Sequence, residues 1–101
     1  MEIKITDFAE DDLFQAEKFI AEDNPHAATK VIKRVFEVIE SLSLFPHIGR
    51  IGRVAETREL VVTGTPFIII YQLLSDCIII LRIMHGSQQW PLKIKEELIT
   101  E

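Results

Sequence analysis

The sequence predicts an α+β fold with the element order β-α-α-β-β-β, in which a helical hairpin packs on an antiparallel sheet of about four strands. Two observations predict it. Apolar residues recur at helical spacing through residues 8–42, and three runs rich in β-branched and aromatic residues follow residue 56 with short polar turns between them. A chain of 101 residues has the size of one domain, so we expect residues 1–101 to share one core.

The first strand and the first helix occupy the amino-terminal 22 residues. Ile3 and Ile5 alternate with polar residues in MEIKIT, which is the pattern of a half-exposed strand. Asp7 and Glu10 then have the spacing of a capping box, so we expect Asp7 to begin a helix over residues 8–22. Its apolar stripe consists of Ala9, Leu13, Ala16 and Ile20.

The second helix begins at an Asn-Pro pair. Asn24 is a good helix cap, and Pro25 suits the first helical position, where no amide hydrogen is needed. The apolar stripe of this helix is Ala28, Val31, Ile32, Val35, Ile39 and Leu42. Two glycines and a proline punctuate the next segment, LFPHIGRIGRVAET, which we predict to be a loop.

The last two predicted strands are apolar at both alternating positions, which is typical of strands buried on both faces. They run from Phe67 to Leu74 and from Ile78 to Met84. A helical hairpin covers one face of a sheet, so the other face needs a different cover. Three covers are open: the carboxyl-terminal tail with a short predicted helix over 92–99, a second copy in a homodimer, or another protein.

Charge is distributed unevenly along the chain. The net charge of −5 argues against a general nucleic-acid binder held by phosphate neutralisation. Residues 1–45 contain ten acidic and five basic residues, whereas residues 46–95 contain six basic and three acidic ones. The second half therefore has a locally positive character.

No basic start precedes an apolar stretch, and no apolar run approaches the roughly 18 residues of a membrane span, so we expect a soluble cytoplasmic protein. Cys77 is the one cysteine and lies in a strand pattern without a neighbouring base or metal-ligand spacing. We predict a buried and inert thiol there. The sequence points to no cofactor and no metal.

Five segments, in this order, resemble the RelE/ParE superfamily of toxins from bacterial type II toxin–antitoxin systems. They are the helices with their Asn-Pro break, the Phe-Pro-x-x-Gly-Arg loop, the Arg-Glu-Leu strand, the strand that ends near Tyr71, and the closing ILRIMHGSQQWP. The resemblance implies a growth-inhibiting toxin of the kind involved in plasmid stabilisation. It also implies a cognate antitoxin as partner, alone or in a hetero-oligomer with the toxin.

The superfamily contains two activities, ribosome-dependent cleavage of mRNA and poisoning of DNA gyrase. In the ribonuclease branch an arginine precedes the third-strand tyrosine by three residues, where this chain has Ile68. Glu59 and Val61 stand where lysines are expected on the preceding strand, and GSQQWP contains no arginine. Because metal-independent RNA cleavage needs cations at the scissile phosphate, we favour gyrase poisoning over an endoribonuclease.

The candidate site residues follow from the same comparison. If the chain is a ribonuclease, its catalytic candidates are Arg58, Glu59, Arg82 and His85. Strict alternation places Arg82 and His85 on opposite faces of their strand unless a bulge intervenes. The candidates for binding the target or the antitoxin are Arg50, Arg53, Arg58, Arg82 and Trp90. A degenerate member that only binds its partner remains a third possibility.

Overall fold

The computed structural model describes residues 1–86 and confirms the predicted α+β fold. Its elements are β1 Glu2–Ile5, α1 Asp7–Asp23, α2 Pro25–Ser41, β2 Arg50–Ile51, β3 Arg58–Val61, β4 Phe67–Leu73 and β5 Cys77–His85. The strands form one sheet in the order β1-β5-β4-β3-β2. The tail helix predicted over 92–99 and the candidate Trp90 lie outside the described residues. Neither described helix is long and apolar enough to cross a membrane.

The sheet is mixed, which corrects the prediction of an antiparallel sheet of about four strands. β2 to β5 form an antiparallel meander, but β1 runs parallel to β5, with Ile3 opposite Ile78. Alternation along a strand determines which side chains share a face and does not determine the pairing direction. The fifth strand, Arg50–Ile51, lies inside the predicted loop, and two residues are too few to show a period.

Thr6 begins the first helix, one residue before the predicted cap Asp7. The Thr6 Oγ1 accepts a hydrogen bond from the Ala9 amide at 3.1 Å and donates one to the Leu81 carbonyl of β5 at 2.8 Å. Thr6 thus connects β1 to α1. Its backbone is extended like that of the strand, and its hydroxyl accepts a hydrogen bond from an amide in the first turn of the helix. Asp7 and Glu10 both lie in the first turn, where negative charges interact favourably with the helix dipole and stabilise the helix.

Asn24 joins the two helices, as predicted. Its backbone amide donates to the Ile20 carbonyl at the end of α1, at 2.9 Å. Its Oδ1 accepts from the Ala27 amide at the start of α2, at 3.1 Å, and Pro25 takes the first helical position. One residue therefore satisfies backbone groups of both helix ends.

Within residues 1–86, the buried apolar side chains form two clusters, one on each face of the sheet. The larger cluster lies between the helices and the sheet, and it includes the predicted stripes of both helices except Ala28, which is buried outside it. The smaller cluster contains Ile70, Leu81 and Met84, with Val54, Ile68 and Ile79 packed against it. The prediction of strands that are apolar on both faces is confirmed. Cys77 is buried as a free thiol, also as predicted.

A β-bulge changes the phase of β5 at Leu81. Tyr71 lies opposite Ile80 while the preceding Ile70 lies opposite Arg82, so Leu81 is the extra residue. Ile78 and Ile80 belong to the cluster under the helices before the bulge, and Ile83 belongs to it after the bulge. The bulge therefore precedes both Arg82 and His85 and does not bring them onto one face by alternation.

Candidate functional site

The segment between α2 and β3 contains the predicted cations Arg50 and Arg53. The hydroxyl of Tyr71 hydrogen-bonds to the backbone of this segment. Tyr71 on β4 is fully buried. Its Oη donates a hydrogen bond to the Pro46 carbonyl at 2.8 Å and accepts one from the Gly49 amide at 2.9 Å. A Cβ at Gly49 would lie 2.6 Å from that Oη, so only glycine permits this approach.

The environment of Tyr71 keeps its phenol protonated. Burial raises the pKa of Tyr71 above its usual value, and the hydrogen bond from Gly49 and the charge of Arg58 only partly offset this. The neutral hydroxyl is the form that can donate to Pro46 while it accepts from Gly49. The protonation state and the loop contacts are therefore consistent with each other.

Arg58 is the second support of the loop. It lies on β3 opposite Tyr71, and its Nη1 donates to the Gly49 carbonyl at 2.8 Å and to the His47 carbonyl at 3.3 Å. A guanidinium bonded to backbone carbonyls still has its charge but has fewer donors for a phosphate. The structure thus places this catalytic and binding candidate beneath the loop, in a positioning role.

Glu59 is the third support, from the opposite face of β3. Its side chain is 1% exposed, and it accepts from Arg50 Nη2 at 2.8 Å, from the Arg53 amide at 3.0 Å and from Arg53 Nε at 3.4 Å. The two arginine side chains are 63% and 55% exposed. Glu59 is therefore a buried counter-ion beneath two guanidinium groups that face solvent.

Arg82 lies at the far side of the sheet, on β5. Its Nε and Nη2 both bond to the Asp12 carboxylate of α1 at 2.7 Å, and its guanidinium carbon lies 5.8 Å from the centre of the Phe8 ring. Asp12 Oδ2 also accepts from the Ile83 amide at 2.9 Å, beyond the last β1–β5 pair at Ile80. Asp12 thus caps the open edge of β5 and orients Arg82.

His85 ends β5 and packs edge-on against the Phe67 ring, with the ring centres 5.7 Å apart. It shares with Arg82 a cavity of about 410 Å³, which Phe8, Asp11 and Phe19 also line. His85 is exposed at the mouth of this cavity. Arg82 and His85 thus line the same cavity although alternation separates them along the strand.

The four catalytic candidates fall into three groups. Arg58 binds the loop carbonyls, Glu59 binds the loop arginines on the other face, and Arg82 with His85 lines the cavity beside α1. Within residues 1–86, no three His, Cys, Asp or Glu side chains are placed to hold a metal ion. The described contacts therefore hold the loop between α2 and β3 and the edge of β5, and they do not bring the four candidates together at one point.

An apolar surface that was not predicted from the sequence lies next to the cationic loop. It consists of Leu44, Phe45, Ile48 and Val61, which are 76%, 59%, 58% and 52% exposed, and we call it the apolar patch. Phe45, Ile48 and Val61 line one cavity of about 360 Å³ between α2 and β3, and Leu44 joins Phe45 and Ile48 along the loop. The sequence signal for this surface was the apolar content of SLFPHI. The proline and the nearby glycines favoured the interpretation of this segment as a plain loop.

Asp12 was also missed, because it is one of two adjacent aspartates on a helix and its partner is 70 residues away. Such a pairing has no local signal. In contrast, Arg50, Arg53 and Arg58 could be chosen as candidates because arginines in a glycine loop or beside a strand end stand out in an acidic chain.

A helical hairpin packed on one sheet agrees with the fold that the resemblance to RelE/ParE toxins implies. A family model described as the ParE toxin of the type II toxin–antitoxin system, parDE, matches residues 3–90. The chain belongs to the ParE toxin family of type II toxin–antitoxin systems.

Two relatives agree with this assignment. The chain is 42% identical over 73 residues to the protein named "Putative toxin Y4kP" of Sinorhizobium fredii (strain NBRC 101917 / NGR234), a match that covers 72% of this chain and 75% of that protein. It is also similar to a chain of the solved structure titled "Chromosomal ParDE TA system from P. aeruginosa", with a TM-score of 0.76 and 26% identity. That similarity covers 84% of this chain and 95% of the other.

Proposed function

We propose that this toxin poisons DNA gyrase without hydrolysing RNA, and that a cognate antitoxin relieves the growth inhibition. The observation that carries the proposal is the dispersal of the groups that RNA cleavage requires. Cleavage needs a base, an acid and cations together at one phosphate. Arg58 and Glu59 instead hold the loop from opposite faces, and Arg82 binds Asp12 at the other side of the sheet.

Ile68 supports the same proposal. It stands where the ribonuclease branch has an arginine, and it packs against the smaller core cluster on the face away from the helices. An aliphatic side chain there supplies no charge to a transition state, and loss of one such group typically costs about a hundredfold or more in rate. The membership in the ParE family points in the same direction.

The test is to express the chain alone in cells and to follow chromosome breaks and transcript ends in the same samples. We expect DNA breaks to accumulate while messages stay intact. In the purified system, gyrase with ATP and supercoiled DNA should yield cleaved DNA in the presence of the toxin, and translating ribosomes should leave their message uncut. Co-expression of the antitoxin should abolish the breaks.

Ribosome-dependent cleavage of mRNA is the second candidate function. The observation that favours it is the cavity lined by His85, Arg82 and Asp11, since an imidazole, a cation and a carboxylate are the elements of acid–base chemistry. Codon-phased cuts in messages that disappear in His85→Ala would establish this function and overturn the gyrase proposal. A chain that produces neither DNA breaks nor cuts, yet binds the antitoxin, would be a non-toxic binding module.

A further inference from the structure

The apolar patch is exposed on a segment that is already ordered. Its side chains lie on or beside residues 44–49, whose backbone is held by Tyr71 at Pro46 and Gly49 and by Arg58 at His47 and Gly49. Ordering a flexible loop opposes binding, so a loop that is fixed beforehand binds a partner with a smaller entropic cost. A rigid exposed apolar surface is characteristic of a docking site.

The patch is bordered by positive charge. Arg50 and Arg53 follow it along the chain, and their common partner Glu59 is buried beneath them, so the exposed part of these two ion pairs is guanidinium. Arg34 and Glu37 of α2 line the other rim of the 360 Å³ cavity. The chemistry that complements this surface is an apolar side chain in the cavity with carboxylates next to it over Arg50 and Arg53.

We infer that the apolar patch is where the antitoxin docks, through a segment with apolar side chains beside carboxylates. The inference rests on the proposed function only in its requirement that an antitoxin binds. A second copy of this chain is a poorer occupant. In a two-fold contact through the same patch, both molecules bring Arg50 and Arg53 into one interface, which adds positive charge there instead of the carboxylates that would complement it.

The apolar part of the inference is tested with Leu44→Ser combined with Ile48→Ser. Both side chains are more than half exposed, so the substitutions remove contacts for a partner and leave the core intact. The matched control is Phe14→Ser combined with Phe19→Ser, which removes two exposed apolar side chains from α1. The probe is the antitoxin, defined as the protein whose co-expression relieves the growth inhibition, immobilised for kinetic binding measurements. We expect the patch variant to dissociate about tenfold faster or more, and the control to dissociate at the wild-type rate.

The charged part is tested with Arg50→Gln combined with Arg53→Gln. Glutamine retains a donor for Glu59, whereas charge reversal would place two carboxylates against a buried third. The control, Lys18→Gln combined with Lys30→Gln, removes the same charge from exposed helix positions. We expect slower association and a weaker dependence of the association rate on salt in the arginine variant, at a similar dissociation rate. The lysine control should shift the association rate much less.

Each other outcome identifies what failed. Wild-type toxin that binds no antitoxin contradicts the proposed function and leaves nothing for the patch to dock. If wild type binds the antitoxin and the kinetics are unchanged in both the Leu44/Ile48 and the Arg50/Arg53 variants, the inference is overturned and the proposed function is not. Patch variants that bind the antitoxin normally but lose toxicity would assign the patch to the target. Loss of a toxin homodimer without loss of antitoxin affinity would assign it to a second copy. Thermal unfolding of every variant shows that the changes are not losses of fold.

Discussion

Among residues 1–86, the side chains of Tyr71, Glu59 and Asp12 accept hydrogen bonds from backbone amides in the loop after α2 and at the edge of β5. Tyr71 serves the Gly49 amide, Glu59 serves the Arg53 amide and Asp12 serves the Ile83 amide, at 2.9, 3.0 and 2.9 Å. A buried amide without an acceptor costs about 1–3 kcal/mol. Each of the three residues is therefore a structural requirement of the segment it holds, in addition to any contact with a partner.

Tyr71→Phe should loosen the loop while it leaves the core packed. The ring stays, but the acceptor for Gly49 and the donor for Pro46 are lost, so we expect the free energy of unfolding to fall by about 1–3 kcal/mol. Urea denaturation measures this loss. Hydrogen exchange should show faster exchange at the Gly49 amide than in wild type, and an unchanged rate there would contradict the assigned role.

The same residue predicts a dependence of stability on alkaline pH. Because the pKa of Tyr71 is raised in the folded state, its contribution is fully present below the unfolded pKa of about 10 and is lost as the pH rises from there through the folded value. Wild-type stability should therefore decline above about pH 10, and the Tyr71→Phe variant should lack this part of the decline. Unfolding curves measured at several alkaline pH values compare the two proteins directly.

Asp12→Ala should be one of the more damaging single changes in the chain. It leaves the Arg82 guanidinium, whose side chain is 5% exposed, without its bidentate carboxylate, and it removes the acceptor for Ile83. Breaking a buried pair on one side costs about 3–5 kcal/mol. The neighbouring Asp11→Ala is the control, since Asp11 is exposed and should change the melting temperature little.

At the scale of elements, the ends of helices and strands do the most to determine the geometry of this fold. Thr6 ends β1 and begins α1, Asn24 ends α1 and begins α2, and the bulge at Leu81 re-phases β5. After the bulge, Ile83 returns to the cluster under the helices and the edge of β5 meets Asp12. A regular β5 would have turned Ile83 away from the helices.

Asn24→Ala should weaken the helical hairpin at its turn. The Ala27 amide at the start of α2 loses its side-chain acceptor, so we expect a loss of about 1 kcal/mol in the free energy of unfolding. Asn24→Ser retains an acceptor of suitable length and should recover most of that stability. Chemical denaturation of the two variants beside wild type makes the comparison, and equal losses in both would rule out capping as the cause.

At the scale of the whole molecule, the sheet is buried on both faces while large apolar side chains remain exposed around it. They include the apolar patch and Ile51, which is 81% exposed at the short strand β2. Because a chain of 101 residues has a small total surface, these side chains make up a large share of it. Such a surface is expected on a protein that works with a partner.

We therefore expect the purified toxin alone to self-associate and to bind a hydrophobic fluorescent dye, and co-expression with the antitoxin to suppress both effects. Apolar burial stabilises a contact by about 25 cal/mol per Å², so even a modest part of this surface drives association. Sedimentation velocity across a concentration series and dye titration are the measurements. A monomer at high concentration that binds no dye would contradict the expectation.

The sequence predicted those features that depend on neighbours within a few residues. The helices, their apolar stripes and the Asn24-Pro25 junction follow from spacing and capping chemistry, and the structure confirms each of them. The two-faced strands and the buried Cys77 follow from local composition in the same way. The family resemblance could likewise be recognised from the sequence, because it depends on short motifs and on their order along the chain.

What only the tertiary structure decided are the features that join residues distant in the chain. Thr6 replaces Asp7 as the cap because its hydroxyl also bonds to Leu81, 75 residues away. Arg58 and Glu59 are adjacent in sequence, yet alternation along β3 sends them to opposite faces, where each finds a different part of the loop. The partners of these polar side chains are chosen by where the folded backbone leaves an amide or a carbonyl unsatisfied, and that is a property of the assembled sheet and helices, which no local pattern encodes.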